Sequence, residues 1–137
     1  LIVVLDASTF VSAALKAGSV PEQALLRAVT EPNRLILSRE VEDEYREVIF
    51  RPKFDPLVSV VRRQHILEIV IFAAERVDPV IAVRECRDPK DDKYLSLAAA
   101  GSANVIVSGD VRHLLSMHPW RAISILSPAD FCAIPSR

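Results

Sequence analysis

Residues 1–5 (Leu-Ile-Val-Val-Leu) are apolar without interruption, and the run stops at Asp6. Continuous rather than alternating apolarity marks a strand covered on both faces, as in the middle of a parallel sheet. Residues 105–107 (Val-Ile-Val) repeat the pattern, and 35–37, 80–83 and 123–126 supply further short strands. Between these runs the period becomes helical. One helix is expected over 7–17, with Ser8 or Thr9 as cap and Gly18 as its end; a second covers 21–29 and is closed by Pro32. A third, over 39–50, is capped by Ser38 and carries the stripe Val41, Tyr45, Val48 and Ile49. A long helix follows over 58–75. Its apolar positions, Val58, Val61, Ile69 and Phe72 together with Ile66, Val70 and Ala73, make a stripe wider than one core contact needs. Burial on both sides is the simpler account and a dimer interface is the other; His65, inside the stripe, reads as a packed histidine.

The segment 87–110 is a helix followed by a strand, with acids at both ends. Asp88 can cap the helix while Pro89 takes its first position, where a missing N–H costs nothing, and Gly101 is expected to close it in the left-handed conformation. Short helices over 111–117 and after Ser127 complete the chain. Strands alternating with helices across short connections predict a three-layer α/β/α sandwich. Its central, mainly parallel sheet has four or five strands, joined by right-handed crossovers within a single domain over residues 1–137.

Composition narrows the classes. With 17 Lys and Arg against 18 Asp and Glu, the net charge of −1 argues against a protein that coats nucleic acid by bulk charge. Gathering four acids in one pocket would still leave 17 cations against 14 acids, a net +3 that permits a basic rim around an acidic centre. Cys86 and Cys132 form no CxxC pair and follow no secretory leader, so two buried thiols in a reduced, cytoplasmic protein are expected. The longest apolar stretch, residues 66–74, contains Glu68 and is too short to span a bilayer. Leu1 opens inside the first strand, so an initiator Met and a few residues are expected to precede it.

Ligands in open α/β sheets bind beyond the carboxyl ends of the strands. Asp6 and Asp110 both stand there, although Asp6 could equally serve as a helix cap. Asp92 lies three and seven residues before Leu95 and Ala99, which places it on the buried face of its helix. Asp88 and Asp91 are better placed to cap that helix and so to support the site. On the third helix Glu40, Glu42 and Glu44 lie along the stripe or near its rim, and periodicity does not choose between Glu42 and Glu44. Clustered carboxylates repel, and a divalent cation would supply the missing counter-charge. Oxygen ligands without a Cys or His cluster point to Mg²⁺ or Mn²⁺, and such ions activate water against a phosphodiester.

Four segments carry a resemblance. Val-Leu-Asp6-Ala-Ser8, then Glu44-Tyr-Arg-Glu-Val-Ile with Arg51-Pro-Lys-Phe, then Asp88-Pro-Lys-Asp-Asp92-Lys-Tyr-Leu-Ser-Leu-Ala, and finally Val-Ser-Gly-Asp110 with Leu114-Leu115 resemble, in this order, a PIN domain. Within that family the chain is similar to the toxin components of prokaryotic toxin–antitoxin systems. The resemblance implies a Mg²⁺- or Mn²⁺-dependent endoribonuclease, often dimeric, that leaves a 5′-phosphate and is blocked by a cognate antitoxin over the acidic pocket. Carried over by position, it implies Asp6, Glu44, Asp92 and Asp110 as the catalytic and metal-binding acids, and it selects Glu44 over Glu42. Ser8 matches a small polar position that helps hold the site. The chain departs from the pattern at Ala7-Ser8, where relatives often have Thr-Asn, and at His113, where they frequently place another Asp.

Arg39, Arg46, Arg51, Lys53, Lys90 and Arg112 are candidate phosphate contacts for RNA, since phosphates are gripped mainly by Arg and Lys. His113 is a further candidate for the substrate phosphate, with an ordinary surface histidine as its alternative. Two rival functions stand beside the nuclease. One is a catalytically inactive module that binds RNA or a protein partner through the same crevice. The other is a phosphoryl-transfer domain of the aspartyl-phosphate kind, which would want a second Asp where Ser8 stands.

Overall fold

The computed structural model describes residues 1–135. Strands β1 (Ile2–Leu5), β2 (Arg34–Leu37), β3 (Glu75–Arg76), β4 (Val105–Val107) and β5 (Ser124–Leu126) form one sheet in the order β3-β2-β1-β4-β5, and every neighbouring pair is parallel. Val3 in the central strand pairs with Leu35 on one side and Val105 on the other. Val3, Val4 and Leu5 are fully buried, as their unbroken apolarity requires. Helices α1 (Ala7–Leu15), α2 (Val20–Ala28), α3 (Arg39–Ile49), α4 (Val60–Ala73), α5 (Asp92–Ala100) and α6 (Pro128–Cys132) complete the three-layer α/β/α arrangement. None of them is long and apolar enough to cross a membrane.

Side-chain caps fix where five of these helices begin. Asp6, Ser19, Ser38, Ser59 and Ser127 accept hydrogen bonds from the backbone N–H groups of Thr9, Glu22, Val41, Arg62 and Asp130. Each such bond satisfies one of the donors that a helix start leaves unpaired. The strand order places the site. From β1 the chain moves outward through β2 to β3, then returns to lay β4 on the other side of β1. The connections after β1 and β4 therefore diverge, opening a crevice between them at the carboxyl edge.

Four local expectations need correction. No strand forms over 80–83: Val80 is 97% exposed and Ile81 77%, and only Val83 turns inward. The fifth strand is instead the polar pair Glu75–Arg76, which extends the sheet by pairing with Ile36 and Leu37. This edge strand of two exposed charged residues is held by backbone pairing and by ion pairs of Glu75 with Arg34 and of Arg76 with Glu42, so it leaves no hydrophobic trace in the sequence. Gly101 does not adopt the left-handed conformation, which falls to Ser102 at φ 51°. Gly101 is small because a Cβ there would lie 2.4 Å from Ile36 Cδ1. Residues 111–117 form turns ending in a single 3₁₀ turn, Leu115–Met117, rather than a helix.

Helix α4 supplies the fourth correction. Ile66, Leu67 and Val70 are buried, but Val61 is 80% exposed and Phe72 95%, so the wide stripe is not covered on both sides within the chain. His65 is exposed rather than packed. Arg63 is the buried polar residue of this helix, and its guanidinium donates to the Ile49 carbonyl at 3.0 Å and to Asp55 at 2.7 Å. Both cysteines are free thiols that are only partly buried.

Candidate metal centre

Asp6 is 3% exposed, directly after β1, and its backbone N–H donates to the Val107 carbonyl at the end of β4. Its carboxylate caps α1, accepting from Thr9 N–H at 2.8 Å, and also accepts from the hydroxyls of Ser8 at 2.9 Å and Ser108 at 2.5 Å. The cap occupies Asp6 Oδ1, and Oδ2 accepts from Ser8 and Ser108, so both carboxylate oxygens of Asp6 carry hydrogen bonds from the protein. Burial pushes its pKa above the ordinary value, against the pull of the hydrogen bonds from Ser108, Thr9 and Ser8.

Ser108 joins the two strand ends. Fully buried, it donates to Asp6 while its oxygen accepts from the Asp110 N–H at 2.9 Å, so the positions of the two acids are coupled through one hydroxyl. Asp110 folds back over the next turn, accepting from the N–H groups of Arg112 at 3.1 Å and His113 at 3.2 Å, with the His113 ring Nδ1 2.6 Å from its Oδ2. Partial burial acts to raise the Asp110 pKa. The hydrogen bond and charge of His113, with the two N–H donors, outweigh it and hold the carboxyl below its usual range.

The acids before α5 are arranged differently from expectation. Pro89–Asp91 form a 3₁₀ turn, capped by Asp88, which accepts from Lys90 N–H at 3.0 Å. Asp92 Oδ1 accepts from the N–H groups of Glu85 at 3.1 Å and Cys86 at 2.7 Å, fastening the preceding loop. Asp91 makes no capping hydrogen bond. Burial, followed by the charges of Asp110, Asp88, Asp6 and Glu44, pushes its pKa up to about 6. Asp91 therefore shares a field with the acids of β1, β4 and α3. The helical phase explains the change: Asp91 lies three, four and seven residues before the buried Tyr94, Leu95 and Ala98, whereas Ala99, on which the phase of Asp92 depended, is exposed.

Glu44 arrives from α3, which reaches over the carboxyl edge: its neighbour Tyr45 donates to the Leu5 carbonyl at the end of β1 and stacks on Phe10 with ring centroids 4.4 Å apart. The Glu44 carboxylate accepts from the Tyr94 hydroxyl and pairs with Lys93 at 3.1 Å. Tyr94 also accepts from Ala7 N–H at 2.9 Å, tying α5, α3 and the start of α1 together. Its burial, with the charges of Tyr45 and Glu44, pushes its pKa well above the ordinary value, so it serves as a hydroxyl donor. Glu42 is engaged elsewhere, pairing with Arg46 at 2.7 Å and with Arg76. Side-chain partners thus separate two glutamates that periodicity left equivalent.

Sequence reasoning did not single out Ser108, Tyr94 or Lys93. Ser108, a hydroxyl wedged between a buried strand and Gly109-Asp110, carried the one readable signal. Among the candidate RNA contacts, Arg39, Arg112 and Lys90 are exposed, Arg51 is paired with Glu47 at 2.7 Å, and Lys53 lies 5.1 Å above the Phe54 ring. A concavity lined by Leu1, Leu26, Arg27, Pro32 and Ile134 opens at the amino edge of the sheet and holds none of Asp6, Glu44, Asp91 and Asp110.

The donor set suits a hard divalent cation. Asp6, Glu44, Asp91 and Asp110 offer carboxylate oxygens from four elements, and their mutual repulsion, visible in Asp91, is what such an ion relieves. Asp88, Asp91 and His113 offer ligand atoms that lie within 4.8 Å of one another, and the His113 ring also meets Asp110 at 2.6 Å.

The model of the PIN domain family matches residues 2–112, a stretch that contains all of these acids. Among solved structures, the chain is similar to the crystal structure of VapBC2 from Rickettsia felis bound to a DNA fragment from their promoter. The TM-score is 0.59 at 16% identity, over 91% of this chain and 97% of that one, a likeness of fold. No curated protein matches the sequence.

Proposed function

The chain belongs to the PIN domain family, and on that premise we propose that it is a Mg²⁺- or Mn²⁺-dependent endoribonuclease hydrolysing RNA phosphodiester bonds at the acidic edge of its sheet. The observation that supports this reading is that Asp91, raised first by burial, also feels the charges of Asp110, Asp88, Asp6 and Glu44, acids carried by separate elements of the fold. These residues would hold a divalent ion, which would supply an acidified water for attack on the phosphodiester and positive charge for the phosphoryl oxygens. The chain's own residues prepare for this. Ser8, Ser108 and the Thr9 N–H hold the Asp6 carboxylate in one orientation, and the backbone N–H groups of Arg112 and His113 do the same for Asp110. Tyr94 and Lys93 fix Glu44, while Asp91, with no capping bond, is free to turn toward a ligand. Asp92 acts by holding the loop at Glu85 and Cys86, and Asp88 by capping the turn that presents Asp91. Arg39, Lys53, Lys90 and Arg112 are the cations we assign to the RNA backbone, with Arg51 available once it leaves Glu47.

The fold likeness to VapBC2, a structure bound to a fragment of promoter DNA, supports a narrower reading: the chain acts in the cytoplasm as the toxin of a type II toxin–antitoxin pair, and a cognate antitoxin covers the acidic pocket. A homodimer is part of this reading, with the exposed α4 residues Val61 and Phe72 as one face available to it. The test is cleavage of a mixed RNA pool by purified protein with Mg²⁺, Mn²⁺ or chelator, beside Asp110→Asn. Cleavage that needs metal, leaves 5′-phosphates and disappears in the variant is the expected outcome. A folded, metal-binding protein that cuts nothing under any of these conditions would overturn the nuclease and leave a binding module.

A further inference from the structure

We infer that His113 is a nitrogen ligand of the acidic centre and biases it toward first-row transition ions over Mg²⁺. The inference rests on the metal-dependent reading above and adds to it the selectivity of the site. The His113 Nδ1 lies 2.6 Å from Asp110 Oδ2 and 3.9 Å from Asp91 Oδ2, between two of the clustered carboxylates. Ligand atoms of Asp88, Asp91 and His113 all lie within 4.8 Å of one another. Donors sharing one small divalent ion stand about 3.0 Å apart when adjacent and about 4.2 Å apart when opposite, so side-chain rotation on the order of an ångström would bring these three onto a common ion.

The backbone that carries the ring is also held in place. The His113 N–H donates to Asp110 Oδ1 at 3.2 Å, its carbonyl accepts from Ser116 Oγ at 2.6 Å, and its side chain is 29% exposed. Asp88 uses one oxygen on the Lys90 N–H and keeps the other. An imidazole in this position changes the chemistry of an otherwise all-oxygen set. Mg²⁺ retains its waters and binds oxygen, whereas transition ions gain from an imidazole donor, Mn²⁺ least and the later members more. The centre is thereby matched to Mn²⁺ or a heavier relative rather than to Mg²⁺.

Mn²⁺ is the probe of choice because its electron spin reports the nuclei bound to it. The full chain is titrated with Mn²⁺ and separately with Mg²⁺ by calorimetry, and the Mn²⁺ complex is examined by pulsed EPR for coupling to a directly bound ¹⁴N. The set comprises the unsubstituted protein, His113→Asp, His113→Gln and Asp6→Asn, each checked for folding by circular dichroism. The expected result is a ¹⁴N coupling that both His113 variants lose, with the Mn²⁺:Mg²⁺ affinity ratio falling about tenfold or more in them. A complex without ¹⁴N coupling, and a ratio that His113→Asp leaves unchanged, would overturn the role of His113 while leaving the acidic centre standing. Absence of Mn²⁺ binding, or binding indifferent to Asp6→Asn, would overturn the acidic centre and this inference with it.

Discussion

Asp91→Asn separates the site described here from the one that helical phase alone suggests. The Asp91 carboxyl is raised from 3.8 to about 6, first by burial and then by the charges of Asp110, Asp88, Asp6 and Glu44. At 1.36 kcal/mol per pH unit of displacement this amounts to about 3 kcal/mol, and solvent screening at a half-buried position reduces it to roughly 1–2 kcal/mol. Because the folded pKa lies above the unfolded one, the folded state binds more protons between pH 4 and 6. Asp91 is therefore without penalty below about pH 4, and its contribution is lost as pH rises through 6. Asp91→Asn should consequently make the metal-free protein about 1–2 kcal/mol more stable at pH 7.5, raising Tm by about 4–8 °C for a chain of this size. The difference between variant and parent should shrink toward zero at pH 4, and the variant should lose the stabilisation that Mn²⁺ gives the parent. Thermal unfolding with chelator and with Mn²⁺, across pH 4–8, reads all three effects. Asp92→Asn is the control: its side chain accepts from two loop N–H groups, and weakening those bonds should destabilise by about 1 kcal/mol with metal response retained. If Asp92→Asn stabilises the metal-free protein and abolishes its metal response while Asp91→Asn does neither, the assignment is refuted.

Saturating divalent metal should stabilise the parent by about 2.7 kcal/mol at a hundredfold excess over Kd, reversibly with chelator, and Asp6→Asn should remove the gain in the same thermal assay. Ser108→Ala removes the hydroxyl between Asp6 and the Asp110 N–H and should cost about 1–3 kcal/mol in denaturant unfolding, with RNA cleavage falling at fixed metal. Gly101→Ala should cost about 1 kcal/mol by crowding Ile36 Cδ1, and Ile36→Val, which deletes that atom, should make the added alanine harmless in a double-mutant cycle. Phe72→Ser, at a 95% exposed position, should change the stability of the monomer by less than about 0.5 kcal/mol.

The sequence by itself determined the frame. Unbroken apolar runs at 1–5 and 105–107 identify buried parallel strands, since polar residues on either face would have had to lose their water without compensation. Ser and Asp caps marked where the helices begin, and strand–helix alternation required a parallel sheet, so Asp6 and Asp110 had to emerge at the same edge. The features that sequence could not carry are those set by partners distant along the chain. The edge strand Glu75–Arg76 exists through backbone bonds to Ile36 and Leu37 and needs no hydrophobic signature. Gly101 is set by the approach of the Ile36 side-chain end, sixty-five positions earlier, which would have to shift for a Cβ, rather than by its own φ. Glu44 is distinguished from Glu42 by what each meets in space, Tyr94 and Lys93 against Arg46 and Arg76. Asp91 and Asp92 are adjacent, and one helical position is 100° of rotation. Only the 3₁₀ turn that begins the helix, and the loop N–H groups that claim Asp92, set the two apart.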